Sequence, residues 1–455
     1  MNLSEKLESQ KKFYQEGWTL DLTYRKETLQ RLKNVIKRYE YDVLDALYDD
    51  LGKSDAESYA SEIGLVYEEI NYMLKHMDKM AKPGYVIPSV TNFPSIGKIM
   101  KEPYGQVLIM SPWNYPFQLC MIPLIGAVAA GNCAVVKPSN YAPAVAEVVD
   151  DILYEAFDEN HVFVITGGRE ANRDLLRHKF DYIFFTGGKN VGRTVMRAAA
   201  EHLTPVTLEL GGKSPCIVDQ TADIPLSARR IVWGKFLNCG QTCVAPDYIY
   251  VHKKVKEEFL EAVVRNIEAL YGEDSLNSKD LGKIINEKHF QRLCAMIKDT
   301  PLYYGGQTDP ERLKIQPTVI DQADWSIPAM GEEIFGPVMP VLEFENLSEV
   351  IHEIRKRPAP LALYLFTRSP QTEKTVLEQV SFGGGCINDT LMHLATSSLP
   401  FGGVGESGMG QYHGKHSFNT FSHEKSILKK SLRIDLPFRY PPYGDSLTLL
   451  KLFMH

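Results

Sequence analysis

The chain has 455 residues, of which 44% are hydrophobic and 24% are charged, and its formal net charge is -7. Such a length predicts two or three domains, and the composition is that of a globular protein, which excludes the fibrous and disordered classes. The negative charge balance offers no broad basic surface, so we expect no nucleic-acid partner.

The cysteines and the amino terminus indicate the compartment. The 7 cysteines are odd in number and include no CxxC pair, so a disulfide framework is not expected. Cys239 and Cys243 lack the second ligand pair that a metal site needs. Since residues 1–6 contain no apolar signal core, we expect a cytoplasmic protein with reduced thiols and no bound metal.

The first elements are helical and then extended. Apolar residues such as Leu29, Val35 and Ile36 recur at helical spacing among Arg and Lys, which predicts an amphipathic helix over residues 22–50. Residues 85–104 contain several prolines, which favour an extended excursion or hairpin that leaves the first domain.

Residues 103–136 contain no charged side chain, and their length would admit a membrane span. The stretch also contains Pro112, Pro116 and Pro123 together with several amides, which would leave broken backbone and polar groups in lipid. We therefore expect buried strand, loop and helix, and no transmembrane span.

From about residue 105, short β-branched or aromatic runs alternate with helical patterns. This alternation predicts a parallel sheet with crossover helices. The predicted strands are 107–110, 134–136, 161–166, 182–185, 206–208 and 215–218.

A glycine-rich turn follows the strand at 182–185 and enters a helical pattern, so its N–H groups can bind a phosphate. It nearly spells a P-loop, but Arg193 replaces the lysine that reaches terminal phosphates, which favours a dinucleotide pyrophosphate over ATP. The literal GxGxxG at 403–408 has no strand leading into it, and we interpret it as a false dinucleotide fingerprint. The candidate phosphate-binding residues are Thr186, Gly187, Gly188 and Gly192.

Cys243 is the candidate nucleophile. It lies in the small, uncharged segment 240–243, where backbone N–H groups can face a substrate oxygen. Such a thiol can attack an electrophilic carbon once the site has deprotonated it. Cys239 is the rival nucleophile, and a buried structural role is the usual alternative for a single cysteine.

Glu209 is the candidate base. It lies between Leu208 and Leu210 at a strand end that leads into a Gly-Gly turn. The flanking leucines indicate partial desolvation, which raises the pKa of a carboxyl group toward that of a useful base. Glu209 would activate the water that releases the product, and the alternative is a solvated turn acid.

The segments 208–215 and 236–243 resemble the active-site glutamate and cysteine signatures of the aldehyde dehydrogenase superfamily. The segments 202–207 and 408–415 are similar to those of its class 3, or fatty aldehyde, branch. This resemblance covers nearly the whole chain. It implies NAD(P)-dependent oxidation of medium-chain, long-chain or aromatic aldehydes to carboxylic acids, often by a homodimer.

The resemblance also implies roles for single residues. Asn114 would be the side-chain donor of the oxyanion hole, with the Cys243 N–H as the second donor, and Lys137 would bind the adenosine ribose. Many NAD-preferring members carry glutamate where this chain has Asn140, so we expect NADP to be accepted alongside NAD. The other implied residues are Trp113, Leu210, Glu333 and Phe335 for the cofactor, and Tyr115, Leu119 and Leu237 for an apolar substrate tunnel.

The resulting fold class is α/β, with a Rossmann-like parallel-sheet cofactor domain, an α/β catalytic domain and a small β bridging or oligomerisation excursion. A proline-rich segment, 437–442, is predicted to be non-helical, and the terminal run 449–455 is too short to span a bilayer. The predicted boundaries are 1–84 and 105–210 for NAD(P) binding, 211–412 for catalysis, 85–104 and 413–430 for bridging, and 431–455 for the tail.

Two rival functions stay open. A reductase that acts on an acyl thioester or acyl phosphate has the same fold, but CoA-acylating relatives generally lack the glutamate at position 209. A non-catalytic structural relative would usually have lost the nucleophile, and Cys243 is present.

Overall fold

The computed structural model describes residues 2–436, 439–444 and 446–454. Of the segment predicted to be non-helical, Pro437 and Phe438 lie outside the described residues, and residues 440–442 form bends. His455, at the end of the terminal run, also lies outside them.

The predicted single helix over residues 22–50 is wrong, because the chain forms two helices there. Tyr39 separates them with φ -91° and ψ 11°. Lys37 and Arg38 end the first helix and Glu40 begins the second, so each charge is favourable for the helix dipole beside it. The α-helices are α1 (Leu3–Gln15), α2 (Leu22–Arg38), α3 (Glu40–Leu51), α4 (Asp55–Ser58), α5 (Gly64–Ala81), α6 (Gln118–Ala130), α7 (Pro143–Ala156), α8 (Arg169–Leu175), α9 (Lys189–His202), α10 (Ile224–Phe236), α11 (Lys256–Tyr271), α12 (Glu287–Ile297), α13 (Pro328–Gly331), α14 (Leu347–Arg355), α15 (Pro370–Gln379), α16 (Lys415–Thr420) and α17 (Ser446–Met454).

The strands occupy the β-branched and aromatic runs, and most of those in the large sheets are buried on both faces. Such continuous apolar strands are typical of parallel sheets covered by helices. The strands are β1 (Gly84–Val86), β2 (Ser95–Pro103), β3 (Gln106–Met110), β4 (Cys133–Lys137), β5 (Val162–Val164), β6 (Tyr182–Gly187), β7 (Val206–Leu210), β8 (Pro215–Val218), β9 (Tyr248–His252), β10 (Thr308–Asp309), β11 (Lys314–Ile315), β12 (Thr318–Ile320), β13 (Val338–Phe344), β14 (Ala362–Phe366), β15 (Gly384–Ile387), β16 (Gly408–Met409) and β17 (Ser422–Lys430).

Two six-stranded sheets organise the fold, and they confirm the predicted α/β class. The first sheet has the order β16-β7-β6-β3-β4-β5, and its strands are parallel except for β16, which runs antiparallel to β7. The second sheet has the order β12-β13-β9-β8-β14-β15 and is wholly parallel. Because ligands bind at the carboxyl ends of parallel strands, the loops after β6 and β7 are the expected location of a site.

A third, antiparallel sheet has the order β1-β2-β17. Its first two strands form the hairpin predicted for residues 85–104. The uncharged stretch 103–136 forms β3, α6 and β4, as expected for a buried region. In the described part of the chain, no helix combines the length and the apolar character needed to cross a bilayer.

Candidate active site

A cavity of ≈ 1640 Å³ is lined by loops that follow strands of both large sheets. It brings together most of the residues that the sequence singles out. Lys137 and Gly192 are not among the described residues that line it. The predicted residues that do line it are Trp113, Asn114, Tyr115, Leu119, Thr186, Gly187, Gly188, Glu209, Leu210, Leu237, Cys243, Glu333 and Phe335.

The backbone before Cys243 adopts an unusual conformation. Helix α10 ends in a 3-10 turn, where Asn238 and Cys239 have φ values of 52° and 54°, a left-handed region that disfavours side chains other than glycine. Gly240 continues the turn at φ 74°, and a Cβ there would collide with the Gly336 carbonyl. The turn packs closely against the segment that carries Glu333, and Cys243, three residues after Gly240, lines the cavity.

The Cys243 thiol is half-buried, and burial raises its pKa to about 12, with the nearby Glu333 and Glu209 carboxyl groups adding to the rise. The thiol is therefore protonated at neutral pH, and the site must remove its proton before attack. Cys239, the rival, is 1% exposed and is not among the described residues that line the cavity. This placement favours Cys243 as the nucleophile.

Glu209 is buried within the first sheet, where it pairs with Thr186 on one side and Gly408 on the other. Its side chain is 3% exposed, and neither carboxylate oxygen has a hydrogen-bond partner among the described residues. Burial raises its pKa well above the usual range. The alternative reading of a solvated turn acid is therefore wrong.

The cause of this burial differs from the one predicted. Successive side chains of a strand point to opposite faces, so Leu208 and Leu210 do not face the same way as Glu209. Both leucines belong to a separate apolar cluster with Leu108 and Val195. Glu209 is desolvated by its position inside the sheet rather than by its neighbours in sequence.

Asn114 lies 3% exposed against the loop that carries the thiol. Its Nδ2 donates to the Gln241 carbonyl at 3.0 Å, which leaves a second N–H for another acceptor. The hydroxyl groups of Tyr115 and Thr242 form a hydrogen bond of 2.6 Å. These two bonds hold the 111–116 loop beside Cys243.

The turn after β6 fits a dinucleotide phosphate. The 14-residue helix α9 begins after Gly188 without a side-chain cap in the described structure, so its N–H groups are available to an anion. A Cβ at Gly188 would meet nothing within 4 Å, and the buried Thr186 hydroxyl has no partner among the described residues. Gly192 instead allows close packing, because a Cβ there would lie 2.7 Å from Leu210.

Glu333 has the properties of a hydroxyl acceptor. Its Oε1 is buried with no hydrogen-bond partner in the described part of the chain, and burial, together with Asp247, raises its pKa to about 8. Arg292 holds this segment by donating to the carbonyls of Glu333 and Ile334 at 3.2 and 2.5 Å.

Phe335 and Trp113 form an edge-to-face pair with ring centroids 5.3 Å apart. This pair lies beside Glu333 at the cavity wall. Lys137 is buried, and its Nζ donates to the Pro138 carbonyl at 2.7 Å. Burial lowers its pKa to about 8.

Several cavity residues have no signal in the sequence. Leu65 lies on α5 and Trp233 on α10, Leu391, Leu394 and Phe401 come from the irregular segment before β16, and His413 follows β16. The sequence of residues 399–403, which includes Phe401, resembles a loop that the aldehyde dehydrogenase superfamily keeps near its active site, but this resemblance implies no role for a single residue. The cavity residues that sequence reasoning missed include Leu65, Trp233, Leu391, Leu394, Phe401 and His413.

A helical segment before α5 was also missed. It contains a π-helical turn, Tyr59–Ile63, of a kind that is often found at functional sites. Glu57 and Ser61 line the cavity from this segment. Its apolar spacing differs little from that of an ordinary helix.

The profile of the aldehyde dehydrogenase family matches residues 4–427. The 4,4'-diaponeurosporen-aldehyde dehydrogenase of Staphylococcus aureus is 48% identical over 456 residues, covering 100% of this chain and 99% of the relative. The mouse aldehyde dehydrogenase family 3 member B1 is 43% identical over 446 residues, covering 98% of this chain and 95% of its own.

Solved structures that are similar to this chain also include aldehyde dehydrogenases. A substrate-bound state of Staphylococcus aureus AldH superimposes with a TM-score of 0.98 at 47% identity and covers 100% of both chains. An NAD+ complex of an aldehyde dehydrogenase from Bacillus cereus has a TM-score of 0.84 at 25% identity, covering 93% of this chain and 88% of that one.

Proposed function

The chain belongs to the aldehyde dehydrogenase family and is therefore an NAD- or NADP-dependent aldehyde dehydrogenase, and we propose that it converts medium-chain, long-chain or aromatic aldehydes to carboxylic acids through a thioester on Cys243. The observation that carries this proposal is the placement on one cavity wall of the Cys243 thiol and the buried Glu209 carboxyl group, whose oxygens have no hydrogen-bond partner among the described residues.

The first step is attack by Cys243. The thiolate sulfur forms a bond to the aldehyde carbon, and the carbonyl oxygen becomes an oxyanion. The free N–H of the Asn114 amide and the backbone N–H of Cys243 are the two donors for that oxygen. Removing one such donor typically lowers the rate by about 10²- to 10³-fold.

When the oxyanion collapses, the aldehyde C–H bond breaks and its hydride would pass to the bound nicotinamide, which leaves a thioester on Cys243. Glu209 acts in the step that follows. It takes a proton from water, the water oxygen attacks the thioester carbon, and the C–S bond breaks to release the acid and the Cys243 thiolate. Since burial raises its pKa, the carboxyl group holds protons more strongly than an exposed glutamate. Hydrolysis should therefore accelerate as the pH rises through this raised pKa.

The cofactor residues fit a dinucleotide. In the described part of the chain the α9 N-terminus has no side-chain cap and Glu333 Oε1 has no hydrogen-bond partner, and both line the same cavity. The cofactor supplies a nicotinamide ring as the hydride acceptor. Thr186, Gly187, Gly188 and the α9 N-terminus would hold the pyrophosphate, Glu333 a ribose, and Trp113, Leu210 and Phe335 the nicotinamide end. Lys137 is assigned to the adenosine ribose, where it would have to turn away from the Pro138 carbonyl.

Asn140 bears on the choice of cofactor. Its side chain is exposed and uncharged, so no carboxylate at this position repels the additional phosphate of NADP. We expect kcat/KM values for NAD and NADP to be comparable. A preference for NAD above a thousandfold would contradict this assignment.

The substrate class follows from the apolar lining of the cavity. Tyr115, Leu119 and Leu237 belong to this lining, as do Trp233 and Phe401. The relative that is 48% identical carries the name of an aldehyde dehydrogenase for 4,4'-diaponeurosporen-aldehyde. Both points favour an apolar substrate over a small polar aldehyde.

The test is NADH formation from a series of aldehydes from acetaldehyde to dodecanal, and from benzaldehyde, with and without CoA. We expect turnover without CoA and kcat/KM that increases with chain length. Cys243→Ala should abolish turnover, whereas the matched variant Cys239→Ala should retain it. Strict dependence on CoA would favour the reductase alternative, and turnover in Cys243→Ala would contradict the proposed nucleophile.

A further inference from the structure

A buried ion pair lies beside the site and has no part in the chemistry above. Lys53 and Glu62 are both 0% exposed, and Lys53 Nζ lies 2.5 Å from Glu62 Oε1. Two buried charges seldom stabilise a fold more than apolar side chains of similar volume do. The pair therefore calls for an explanation other than stability.

The anionic partner is fixed by a helix terminus. Glu62 Oε2 accepts hydrogen bonds from the N–H groups of Phe117 and Gln118 at 2.9 and 3.1 Å, at the start of α6. A carboxylate is favoured at this position by the helix dipole. Glu62 lies in the π-helical turn Tyr59–Ile63, and it connects this turn to the chain just after Asn114.

The cationic partner contacts the loop that carries the oxyanion donor. Lys53 Nζ donates to the backbone carbonyl of Asn114 at 3.3 Å, and it lies 4.1 Å from the centroid of the Tyr115 ring. Both contacts are favourable for an ammonium group. A neutral side chain would lose both.

The same carbonyl joins this loop to the nucleophile loop. Asn238 Nδ2 donates to the Asn114 carbonyl at 2.6 Å and to the Gln241 carbonyl at 3.2 Å. The Asn114 amide also donates to the Gln241 carbonyl. Glu57 Oε1 in turn accepts from the Asn238 backbone N–H at 2.7 Å, within the left-handed turn. The two loops that carry the proposed oxyanion donors therefore share one hydrogen-bonded network.

We propose that Lys53, anchored by Glu62, is a positioning residue that fixes the Asn114 peptide so that its side-chain amide meets the substrate oxyanion. The inference rests on the proposed role of Asn114. Without the ammonium group, Asn238 is the one donor that the described residues leave to the Asn114 carbonyl, and the loop can shift relative to Cys243. Displacements of about 1 Å in a reacting geometry can slow a reaction by about 10²-fold.

The first test is Lys53→Met, which keeps the length of the side chain and removes the charge. We expect the single-turnover rate of NADH formation to fall by about tenfold or more, since an oxyanion donor contributes about 10²- to 10³-fold. The rate of Cys243 alkylation by iodoacetamide should stay within about twofold of wild type, because that reaction forms no oxyanion. Equal losses in both rates would show a general structural role and overturn the proposal.

The matched control is Lys256→Met. Lys256 is also buried and pairs with Asp321 and Glu343 at 2.9 and 3.3 Å, but none of its contacts in the described structure reaches the Asn114 loop. This variant should keep the wild-type single-turnover rate. A loss equal to that of Lys53→Met would overturn the proposal.

A double-mutant cycle separates this inference from the function on which it rests. If Lys53 acts through Asn114, adding Lys53→Met to Asn114→Ala should slow NADH formation no further. Additive losses would overturn the positioning role while leaving Asn114 as the donor. Wild-type turnover in Asn114→Ala alone would instead overturn the oxyanion assignment, and the positioning role with it.

Lys53→Met leaves the Glu62 carboxylate without its cation, and this variant can lose its fold. The variant Lys53→Met/Glu62→Gln removes both charges and leaves a hydrogen-bond acceptor for the start of α6. It should show the same selective loss of NADH formation with retained alkylation. Wild-type NADH formation in this variant would overturn the proposal.

Discussion

Glu209 illustrates at the residue scale how function and stability conflict. The carboxyl group is buried in the first sheet, and both oxygens lack a hydrogen-bond partner in the described structure. Burying an unpaired carboxylate is unfavourable, and a rise in its pKa is the usual result. A base that must activate water in an apolar cavity therefore destabilises the fold at the pH at which it is ionised.

This conflict gives a prediction for Glu209→Gln. The pKa of Glu209 is raised above the ordinary 4.5, so the folded wild type keeps a proton that the unfolded chain loses. Wild-type stability therefore falls as the pH rises between the two pKa values, by about 1.4 kcal/mol per pH unit for one group. The variant does not titrate there, so its free energy of unfolding should exceed that of wild type increasingly above pH 4.5. Urea unfolding at several pH values measures this difference.

The control for this prediction is Glu345→Gln. A hydrogen bond from Lys253 holds the pKa of this exposed carboxyl group below its usual value. The hydrogen bond to Lys253 stabilises the folded state at pH values above the pKa of the unfolded chain. The free energy of unfolding of Glu345→Gln should therefore not rise above that of wild type as the pH increases. If Glu209→Gln raised the free energy of unfolding by the same amount at every pH, the raised pKa of the desolvated Glu209 carboxyl group would be contradicted.

At the element scale, the loop after β7 determines how Glu333 is presented. Gly211 follows Glu209 and Leu210, and a Cβ at position 211 would overlap the Glu333 carboxylate. A side chain at position 211 would therefore push the Glu333 carboxylate out of its observed place.

We expect Gly211→Ala to displace Glu333 and to weaken cofactor binding by about 2- to 10-fold, the effect of losing one hydrogen bond between neutral groups. Fluorescence titration with NADH measures the Kd. Gly84→Ala is the matched control, because a Cβ at Gly84 would meet nothing within 4 Å. An unchanged Kd in Gly211→Ala would argue against Glu333 as a cofactor ligand.

The sequence predicted the strands of the first sheet better than the helices around them. Continuous apolar runs such as 107–110 and 182–185 identify buried strands, and the structure extends them by one or two residues. The break at Tyr39 was missed because the apolar spacing continues across it. The π-helical turn was missed for a similar reason, since one wide turn hardly changes the pattern.

At the site, too, the sequence did not predict contacts between residues that lie far apart in the chain. Glu209 was identified from its neighbours, but its burial depends on pairing with β6 and β16. Lys53 and Glu62 carry no motif, and only the fold brings them to Asn114. The nucleophile loop could be identified from the sequence because its signature lies within one short segment, residues 236–243.

At the scale of the whole molecule, β17 is an edge strand of the sheet of β1, β2 and β17, and no described strand pairs with its outer side. Strand β17 is 9 residues long, and its Ile427 and Leu428 are 45% and 48% exposed. A long edge strand with exposed apolar side chains pairs readily with another chain. We propose that a second copy covers it, in agreement with the homodimer expected from the sequence.

Light scattering should give twice the chain mass of 51.4 kDa. Ile427→Lys/Leu428→Lys should reduce it to the mass of one chain, because charged side chains oppose pairing at an edge. Leu203→Lys, at a residue 91% exposed outside this sheet, should leave the dimer intact. A dimer that persists in the double variant would place the interface elsewhere.

We propose that the two large sheets divide cofactor binding and catalysis between them. We assign cofactor binding to residues 1–84 and 105–210, catalysis to 211–412, bridging to 85–104 and 413–430, and a tail to 431–455. Strand β16 belongs in sequence to the catalytic part, but it pairs with β7 of the first sheet beside Glu209. The two parts therefore contribute jointly to the environment of the base.

The most direct test of the central claim is the mass of the Cys243 peptide after Glu209→Gln is mixed with dodecanal and NAD and quenched in acid. The account predicts one reduced cofactor per chain and a dodecanoyl group on Cys243, because the thioester forms and is not hydrolysed. Reduced cofactor formed with no acyl group on Cys243, or with the group on Cys239, would contradict it.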